Sequence, residues 1–359
     1  MSYAMMVENG FPLPDKKAPD NITLSENMYS KLLNQPTQMC RCGKMLSMLK
    51  DDWYLDVDGC KYHLGKQVFS GPDYGLYSCC KTTSQGCAFN KHHVSFRRPV
   101  ENHKFVQTTD VKSEHNNQAS NIFSIDCEMA FTTKGLEVVK ISLIGVRGEV
   151  HYDSYVLPKN PILDYNTAFS GVREEHLRNV TTTLEDVQKR LLQLLNKNSI
   201  LIGHGVENDL LALNIVHENV IDTSCVFPHE RGHPMKNSLK YLAKIYLQKI
   251  IHDGFKGHDS VEDAQTCMEL MLWKIYSETR STFVAQPVIS KPFFPKVIQS
   301  SNNFLLMANP PFKAAFPTVI FSPAFVCFQV TIFPLNPFLP PPSIAPFFNP
   351  TIPKPWWQM

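Results

Sequence analysis

Two carboxylates lie two residues apart inside the apolar segment at residues 123–129, at Asp126 and Glu128. Side chains two positions apart on a strand point to the same face, so a strand here would bring the two carboxylates together. Like charges that close repel each other unless they are protonated or bound to a cation. The pair therefore indicates a metal site, although an edge strand with solvated carboxylates would explain the pair alone about as well.

Three later residues could complete such a site. Asp209 follows a short apolar strand and a glycine-flanked turn, in the first turn of a predicted helix. His258 lies in a predicted loop, and five residues later Asp263 lies in the first turn of the final predicted helix. Each also has a structural explanation: a helix N-terminal charge, a helix cap and a solvated helix residue, respectively.

Their joint occurrence in this order favours a catalytic site. Four carboxylates without a cysteine are hard oxygen donors that suit Mg²⁺ or Mn²⁺ rather than zinc. Two such ions can hydrolyse a phosphodiester, since one activates the attacking water and the other stabilises the leaving 3′ oxygen. His258 could accept the proton of that water, because an imidazole titrates near neutral pH.

The surrounding sequence predicts an α/β domain with a mixed sheet, because strands and helices alternate along it. The predicted strands lie at residues 123–129, 138–146, 150–156, 199–202 and 220–223. We expect the first three to form a meander. The helices lie at residues 184–195, 208–216, 238–246 and 260–276.

Several short motifs resemble one family of nucleases. They are DCEM at 126–129, TTKGLE at 132–137, DYNT at 164–167, FSGV at 169–172, NVTTTL at 179–184, ILIGH at 200–204, VFPH at 226–229 and GHDS at 257–260. These motifs are similar to those of the RNA exonuclease 1 family, including its GOR-antigen-like members, in the histidine-bearing DEDDh branch of the 3′→5′ exonucleases.

The resemblance implies a ribonuclease H-like fold, with a mixed sheet of five strands flanked by helices. It makes Asp126, Glu128, Asp209 and Asp263 the ligands of two Mg²⁺ or Mn²⁺ ions, and His258 the general base. It also implies a nuclear enzyme that removes nucleotides from RNA with a free 3′ end as 5′-monophosphates. The residues expected beside the terminal nucleotide are Phe169, Ser170, Gly171 and His204. Gly171 could equally serve only to form a turn.

The composition is that of a globular chain with reduced cysteines. The 359 residues are 43% hydrophobic, which suffices for a full core, and the formal net charge of +2 identifies no partner. The N-terminus lacks the basic start and apolar core of a signal peptide, so we expect an intracellular, reducing compartment. In that compartment, cysteines clustered with histidines are more often metal ligands than disulfides.

Six of the ten cysteines fall between positions 40 and 87, in a segment with little hydrophobic periodicity. Such a segment needs a metal to be compact, so we predict a structural Zn²⁺ site; the alternative is a set of unligated core thiols. The candidate ligands are Cys42, Cys60, His63, Cys80, Cys87 and His93. Because one zinc ion takes four ligands, either a second ion is bound or some of these residues are not ligands.

The same segment departs from the related family at its first cysteine pair. That family usually has two cysteines separated by two residues, whereas here Met39 stands at the earlier position and Cys40 lies one residue later. Basic and aromatic residues such as Arg41 and Tyr62 are interleaved nearby. If exposed, they could hold single-stranded RNA, although a solvated or protein-binding surface explains them as well.

Composition also divides the chain. The predicted parts are an irregular leader at 1–38, a Cys/His-rich zinc-binding module at 39–98, a linker at 99–120, the exonuclease domain at 121–280 and a disordered, Pro-rich apolar tail at 285–359. The tail holds 16 of the 26 prolines, which cut its uncharged stretch into pieces too short for a membrane-spanning helix. We therefore expect no membrane partner, and the sequence identifies no protein partner.

Two other functions remain compatible with the sequence. One is a catalytically idle relative that binds RNA or protein, although the intact acids and His258 argue against it. The other is a 3′→5′ DNA exonuclease of the same fold, since recognition of the 2′-hydroxyl depends on local geometry that the sequence does not show.

Overall fold

The computed structural model describes residues 1–15, 22–23, 37–47, 59–69, 71–96, 105–110, 121–252, 257–284, 319–320 and 329–330. The chain divides into two compact units, Met1–Ala308 and Asn309–Met359. In the second unit, the described residues form two short antiparallel strands, Val319–Ile320 and Gln329–Val330. The rest of the predicted tail lies outside the described residues.

The N-terminal segment, predicted to be irregular, contains ordered elements. They are helix α1 (Tyr3–Glu8) and the antiparallel strands β1 (Leu13–Pro14) and β2 (Ile22–Thr23). The segment is ordered because Met6, Phe11 and Leu13 bury their apolar side chains in the main core. Within this segment the sequence also allows one short helix at residues 25–33, which lies outside the described residues.

The Cys/His-rich module is built from two short hairpins. Its antiparallel strand pairs are β3 (Thr37–Met39) with β4 (Met45–Ser47), and β5 (Cys60–Tyr62) with β6 (Ala88–Asn90). Among the described residues of the module, a core cluster consists of Cys40, Leu46 and Cys60, with partly buried Cys42 and Tyr62 around them. A core cluster of this size fits the expectation that the module depends on a metal for stability.

The exonuclease-like domain is built on one mixed sheet. The remaining strands of this unit are β7 (Val106–Gln107), β8 (Ile122–Thr132), β9 (Gly135–Gly145), β10 (Val150–Tyr155), β11 (Ile162–Asp164), β12 (Ile200–Gly203), β13 (Ile215–Val216) and β14 (Val220–Asp222). The strand order is β10-β9-β8-β12-β14, with β8, β9 and β10 as the predicted antiparallel meander and β12 parallel to both its neighbours. The implied five strands are therefore present, and short β11 adds a sixth by pairing with the end of β8.

Helices cover both faces of this sheet. They are α2 (Thr167–Ser170), α3 (Glu174–Leu177), α4 (Leu184–Leu194), α5 (Val206–Leu213), α6 (Thr223–Val226), α7 (Leu239–Leu242) and α8 (Ser260–Val284). Phe123 and Ile125 of β8 join the core formed with α4 and α5. Because strand residues alternate, the other face of β8, with Asp126 and Glu128, is left for α8.

The predicted elements agree with this architecture except at some boundaries. The helix predicted at 208–216 ends at Leu213, because Asn214 adopts a left-handed conformation (φ 51°) that stops it. The helix predicted at 238–246 continues from α7 as a π-helical turn, Ala243–Leu247. Within the described ranges, no helix has the length and apolar character needed to cross a bilayer.

Candidate active site

Three of the predicted metal ligands converge at the sheet surface beneath α8. Carboxylate oxygens of Asp126, Glu128 and Asp263 all lie within 4.8 Å of one another. Glu128 is 6% exposed and Asp263 is 4% exposed. Among the described residues, Glu128 Oε1 is buried without a hydrogen-bond partner. Buried oxygen donors that lack a partner fit a hard divalent cation such as Mg²⁺ or Mn²⁺.

The electrostatics of the cluster also favour a cation. Burial raises the pKa of Asp126 well above its usual range, and the charges of Asp209, Asp263 and Glu128 raise it further. Burial and the charge of Asp263 raise the pKa of Glu128 to about 9, although Lys140 opposes this shift. These groups resist ionising together, so the protein binds protons here unless a cation replaces them.

This shift predicts how the stability of the metal-free protein depends on pH. The pKa of Glu128 is about 9 in the folded protein, against 4.5 for an ordinary glutamate. Between these values the folded state binds more protons than the unfolded chain, so the unfolding free energy falls as pH rises. We expect a lower melting temperature at pH 9 than at pH 6 in EDTA, and a smaller decrease for Glu128→Gln. An equal decrease in both proteins would contradict the assignment.

Asp209 lies just outside this three-carboxylate group. It stands in the first turn of α5 and is 4% exposed. Burial has the largest effect on the pKa of Asp126, and the charge of Asp209 has the second largest. Desolvation, and then the charge of Asp209, also raise the pKa of the Cys127 thiol, which follows Asp126 in the chain. The fourth predicted acid is therefore close enough to act on the same site, although it does not join the tight cluster.

Two histidines, not one, lie beside Asp263. His258 Nδ1 is 3.6 Å from Asp263 Oδ2, and its ring stacks on that of His252 with centroids 3.7 Å apart. His252 Nε2 is 2.5 Å and 2.8 Å from the two Asp263 oxygens. The sequence analysis missed His252, whose signal is only its place six residues before His258. Burial and the charge of His252 lower the pKa of His258, which favours the neutral form that a general base needs.

Lys140 supplies the positive charge of the site and was also missed. It stands opposite Glu128 in the β8–β9 register. Its Nζ atom is 3.0 Å from Asp259 Oδ1 and 3.6 Å from Asp153 Oδ1. The signal in the sequence was a lysine inside an otherwise apolar strand, which cross-strand pairing with a glutamate explains.

Phe169, one of the predicted substrate residues, contacts His258, the predicted general base. Its ring is 41% exposed and meets the ring of His258 edge-on, with centroids 6.4 Å apart. Its backbone oxygen accepts a 2.6 Å hydrogen bond from His258 N. An exposed aromatic ring in this position can stack on a base of a single strand.

The other predicted substrate residues have structural partners. Gly171 ends α2 in a left-handed conformation with φ 64°. The Ser170 hydroxyl donates to Tyr165 O within the same turn. His204 is mostly enclosed, with Nδ1 2.9 Å from Thr223 Oγ1. Their contact with a substrate stays a prediction.

The Cys/His module contains two separate groups of four metal-binding side chains. In each group the ligand atoms lie within 4.8 Å of one another. The first group is Cys40, Cys42, Cys60 and His93, and the second is His63, Cys79, Cys80 and Cys87. The six predicted ligands divide three to each group, and the structure adds Cys40 to the first and Cys79 to the second.

The geometry of both groups suits tetrahedral zinc. Sulfur atoms of Cys40 and Cys60 are 3.5 Å apart, and those of Cys79 and Cys87 are 3.4 Å apart. A tetrahedron with Zn–S bonds of about 2.3 Å has sulfur–sulfur edges of about 3.8 Å. All nine cysteines among the described residues are free thiols, which agrees with a metal-binding role.

The RNA contact considered for the module does not extend to Arg41. The Arg41 side chain is only 8% exposed, and it pairs with Asp164 of β11. The sequence could not reveal this, because the partner is 123 residues away. Lys81, in contrast, forms a solvent-exposed pair with Asp73.

The mixed sheet with its buried acids defines an exonuclease domain of the ribonuclease H-like α/β class. Residues 123–271 match the sequence profile of the exonuclease family RNase_T. The similarity to RNA exonuclease 1 and its GOR-like members, predicted from the motifs, is confirmed by the relatives below.

Over 288 residues the chain is 38% identical to the RNA exonuclease 1 homolog of Homo sapiens, covering 78% of this chain and 23% of that protein. It is 38% identical over 282 residues to the putative exonuclease GOR of Homo sapiens, covering 77% of this chain and 42% of that protein. The chain thus spans less than half the length of either relative. The catalytic unit of Neurospora crassa Pan2 (protease and nuclease domain) superimposes with a TM-score of 0.43 and 25% identity, over 54% of this chain and 34% of that one.

Proposed function

We propose that the chain is a 3′→5′ exoribonuclease that hydrolyses the terminal phosphodiester bond of RNA and releases nucleoside 5′-monophosphates. The observation that carries the proposal is the convergence of Asp126, Glu128 and Asp263, whose oxygens lie within 4.8 Å of one another next to His258. RNA as substrate is supported by the name of the RNA exonuclease 1 homolog, to which the chain is 38% identical. A nuclear location, implied by the resemblance, stays part of the proposal.

In this mechanism the acids would hold two Mg²⁺ or Mn²⁺ ions. Asp126, Glu128 and Asp263 would supply oxygen ligands, and Asp209 on α5, close to this group, would add a fourth carboxylate. When bound, such ions activate water and offset the negative charge that develops on the phosphate. His258, which burial keeps neutral, accepts the proton from the attacking water. His252 orients the carboxylate of Asp263 from its other side.

We also propose that each Cys/His group holds one structural zinc ion. Three thiolates and one imidazole form a closed ligand set, typical of a site that stabilises a fold and leaves no position for a substrate. The support is that each group has four ligands, whereas the core cluster found among the described residues of the module has three buried members.

The proposed activity can be tested with RNA labelled at either end. In Mg²⁺, 3′-labelled single-stranded RNA should lose its label as mononucleotides from the start of the reaction, whereas 5′-labelled RNA should shorten one nucleotide at a time. EDTA should stop both reactions. A circular RNA of the same sequence is the matched control and should stay intact, because it has no 3′ end.

The rival functions give different results in the same assay. Equal or faster loss of label from single-stranded DNA would favour a DNA exonuclease. Binding of RNA without release of nucleotides in Mg²⁺ or Mn²⁺ would indicate a catalytically idle relative. Either result would overturn the proposed exoribonuclease.

A further inference from the structure

The Cys/His-rich module is attached to the exonuclease domain through a buried arginine. Arg41 lies between Cys40 and Cys42 of the first ligand group, and its guanidinium pairs with the carboxylate of Asp164. The side chains are 8% and 18% exposed, respectively. Removing one partner of such a buried pair leaves the other charge uncompensated, so the contact is a strong constraint on both segments.

Aromatic rings hold the guanidinium, and an amide holds its carboxylate partner. The Cζ atom of Arg41 lies 3.4 Å from the ring centroid of Tyr62 and 5.4 Å from that of Phe131. Asn90 Nδ2 donates a 3.0 Å hydrogen bond to the same Asp164 oxygen that Arg41 binds. Stacking of a planar guanidinium on an aromatic ring fits Arg better than Lys.

The second oxygen of Asp164 fixes the turn that follows. Asp164 Oδ1 accepts a 2.7 Å hydrogen bond from Asn166 N. Asn166 adopts a left-handed conformation with φ 55°, directly before α2. Its carbonyl oxygen accepts from Phe169 N at 2.8 Å and from Ser170 N at 2.9 Å. The carboxylate that binds Arg41 therefore also sets the start of α2.

Helix α2 in turn supports the loop that carries the general base. Phe169 O accepts the 2.6 Å hydrogen bond from His258 N. Gly257, at φ 81°, packs so closely that a Cβ atom there would collide with Gly171 N and Thr167 O. The two backbones therefore fit together without a side chain between them, so a shift of α2 displaces His258.

We propose that Arg41 is a positioning residue for the active site. Through Asp164 and Asn166 it holds α2 in place, and α2 holds the backbone of His258. The Cys/His module is thus a structural part of the catalytic unit and not a separate RNA-binding attachment. The expected effect of Arg41 on the reaction rate rests on the proposed exonuclease function. Its effect on the position of α2 and His258 does not.

The kinetic test compares Arg41→Gln, Arg41→Lys and Asp164→Asn in the full chain. A small displacement of a catalytic group can reduce a rate by about a hundredfold. We expect kcat to fall by about 10- to 100-fold in Arg41→Gln and Asp164→Asn, with KM changing by less than about threefold. Arg41→Lys should recover part of the loss, because it restores the charge. The double variant Arg41→Gln/Asp164→Asn should be no slower than the slower of its two single variants, because both residues act through one contact.

The structural test does not depend on activity. Hydrogen exchange measured by mass spectrometry should show faster exchange at residues 166–171 and 257–262 in Asp164→Asn than in the unchanged chain. Arg190→Gln on α4 is the matched control for Arg41→Gln, and it should leave both kinetics and exchange at these residues unchanged. Zinc content measured for each variant shows whether the module has kept its metal. If Arg41→Gln has lost zinc, Asp164→Asn still tests the contact, because Asp164 lies outside the module.

Two results would overturn the inference. The first is unchanged exchange at both segments in Asp164→Asn. The second is weaker RNA binding by Arg41→Gln with an unchanged kcat, which would make Arg41 an RNA contact. If the unchanged chain releases no nucleotides, the proposed function fails, and the exchange measurement still decides the positioning role by itself.

Discussion

Asp126→Asn should abolish nucleotide release and at the same time stabilise the metal-free protein. Loss of activity of at least about a thousandfold is expected, because bound metal supplies several kcal/mol of transition-state stabilisation and about 1.4 kcal/mol equals a factor of ten. Without Mg²⁺ or Mn²⁺, the substitution removes one of three clustered carboxylates that resist ionising together. We expect about 1–2 kcal/mol of added stability without added divalent metal, measured by chemical unfolding, with little further gain on adding Mg²⁺.

His258→Ala is the comparison that separates metal binding from proton transfer. Removing a general base costs about 10²–10⁴ in rate, but it leaves the carboxylate ligands in place. This variant should therefore lose activity and still gain stability from Mg²⁺. If Asp126→Asn were stabilised by Mg²⁺ as strongly as the unchanged chain, the role of Asp126 as a metal ligand would be wrong.

Cys60→Ser should remove one zinc ion and unfold the Cys/His-rich module. Cys60 is fully buried in the first ligand group, where its sulfur faces Cys40. A serine hydroxyl is a poor zinc ligand, and structural zinc contributes about 10 kcal/mol or more to the folding of small modules. Zinc measured by mass spectrometry should fall from about two ions per chain to about one. Proteolysis should then cleave rapidly within residues 37–96.

Cys225→Ser provides the matched control, because Cys225 is half-buried and belongs to neither ligand group. That variant should keep both ions and resist proteolysis like the unchanged chain. Retention of two ions by Cys60→Ser would contradict the assignment of the first group. Activity should fall in Cys60→Ser as well, since Arg41 lies between two ligands of that group and holds Asp164.

The acid residues of the site were predictable because local geometry places them. A strand period of two residues puts Asp126 and Glu128 on one face, and the helices predicted at 184–195 and 260–276 are present in the structure. Asp263 follows from its place in the first turn of α8. These patterns depend on neighbouring residues alone, which one sequence contains in full.

Pairings between distant residues were not predictable in the same way. The six zinc candidates gave no indication that Cys40 completes one group and Cys79 the other, because spacing does not show which hairpins meet. His252 gave only a weak signal, since its contact with Asp263 depends on how the loop before α8 returns to the sheet.

By itself, therefore, the sequence determined the α/β class, the antiparallel meander of the first three strands of the sheet and the placement of Asp126 and Glu128 on one strand face. Only the tertiary structure decided the division of ligands into two groups and the burial of Arg41 against Asp164. The physical reason is that backbone periodicity is local, whereas burial and ion pairing arise when segments more than a hundred residues apart pack together.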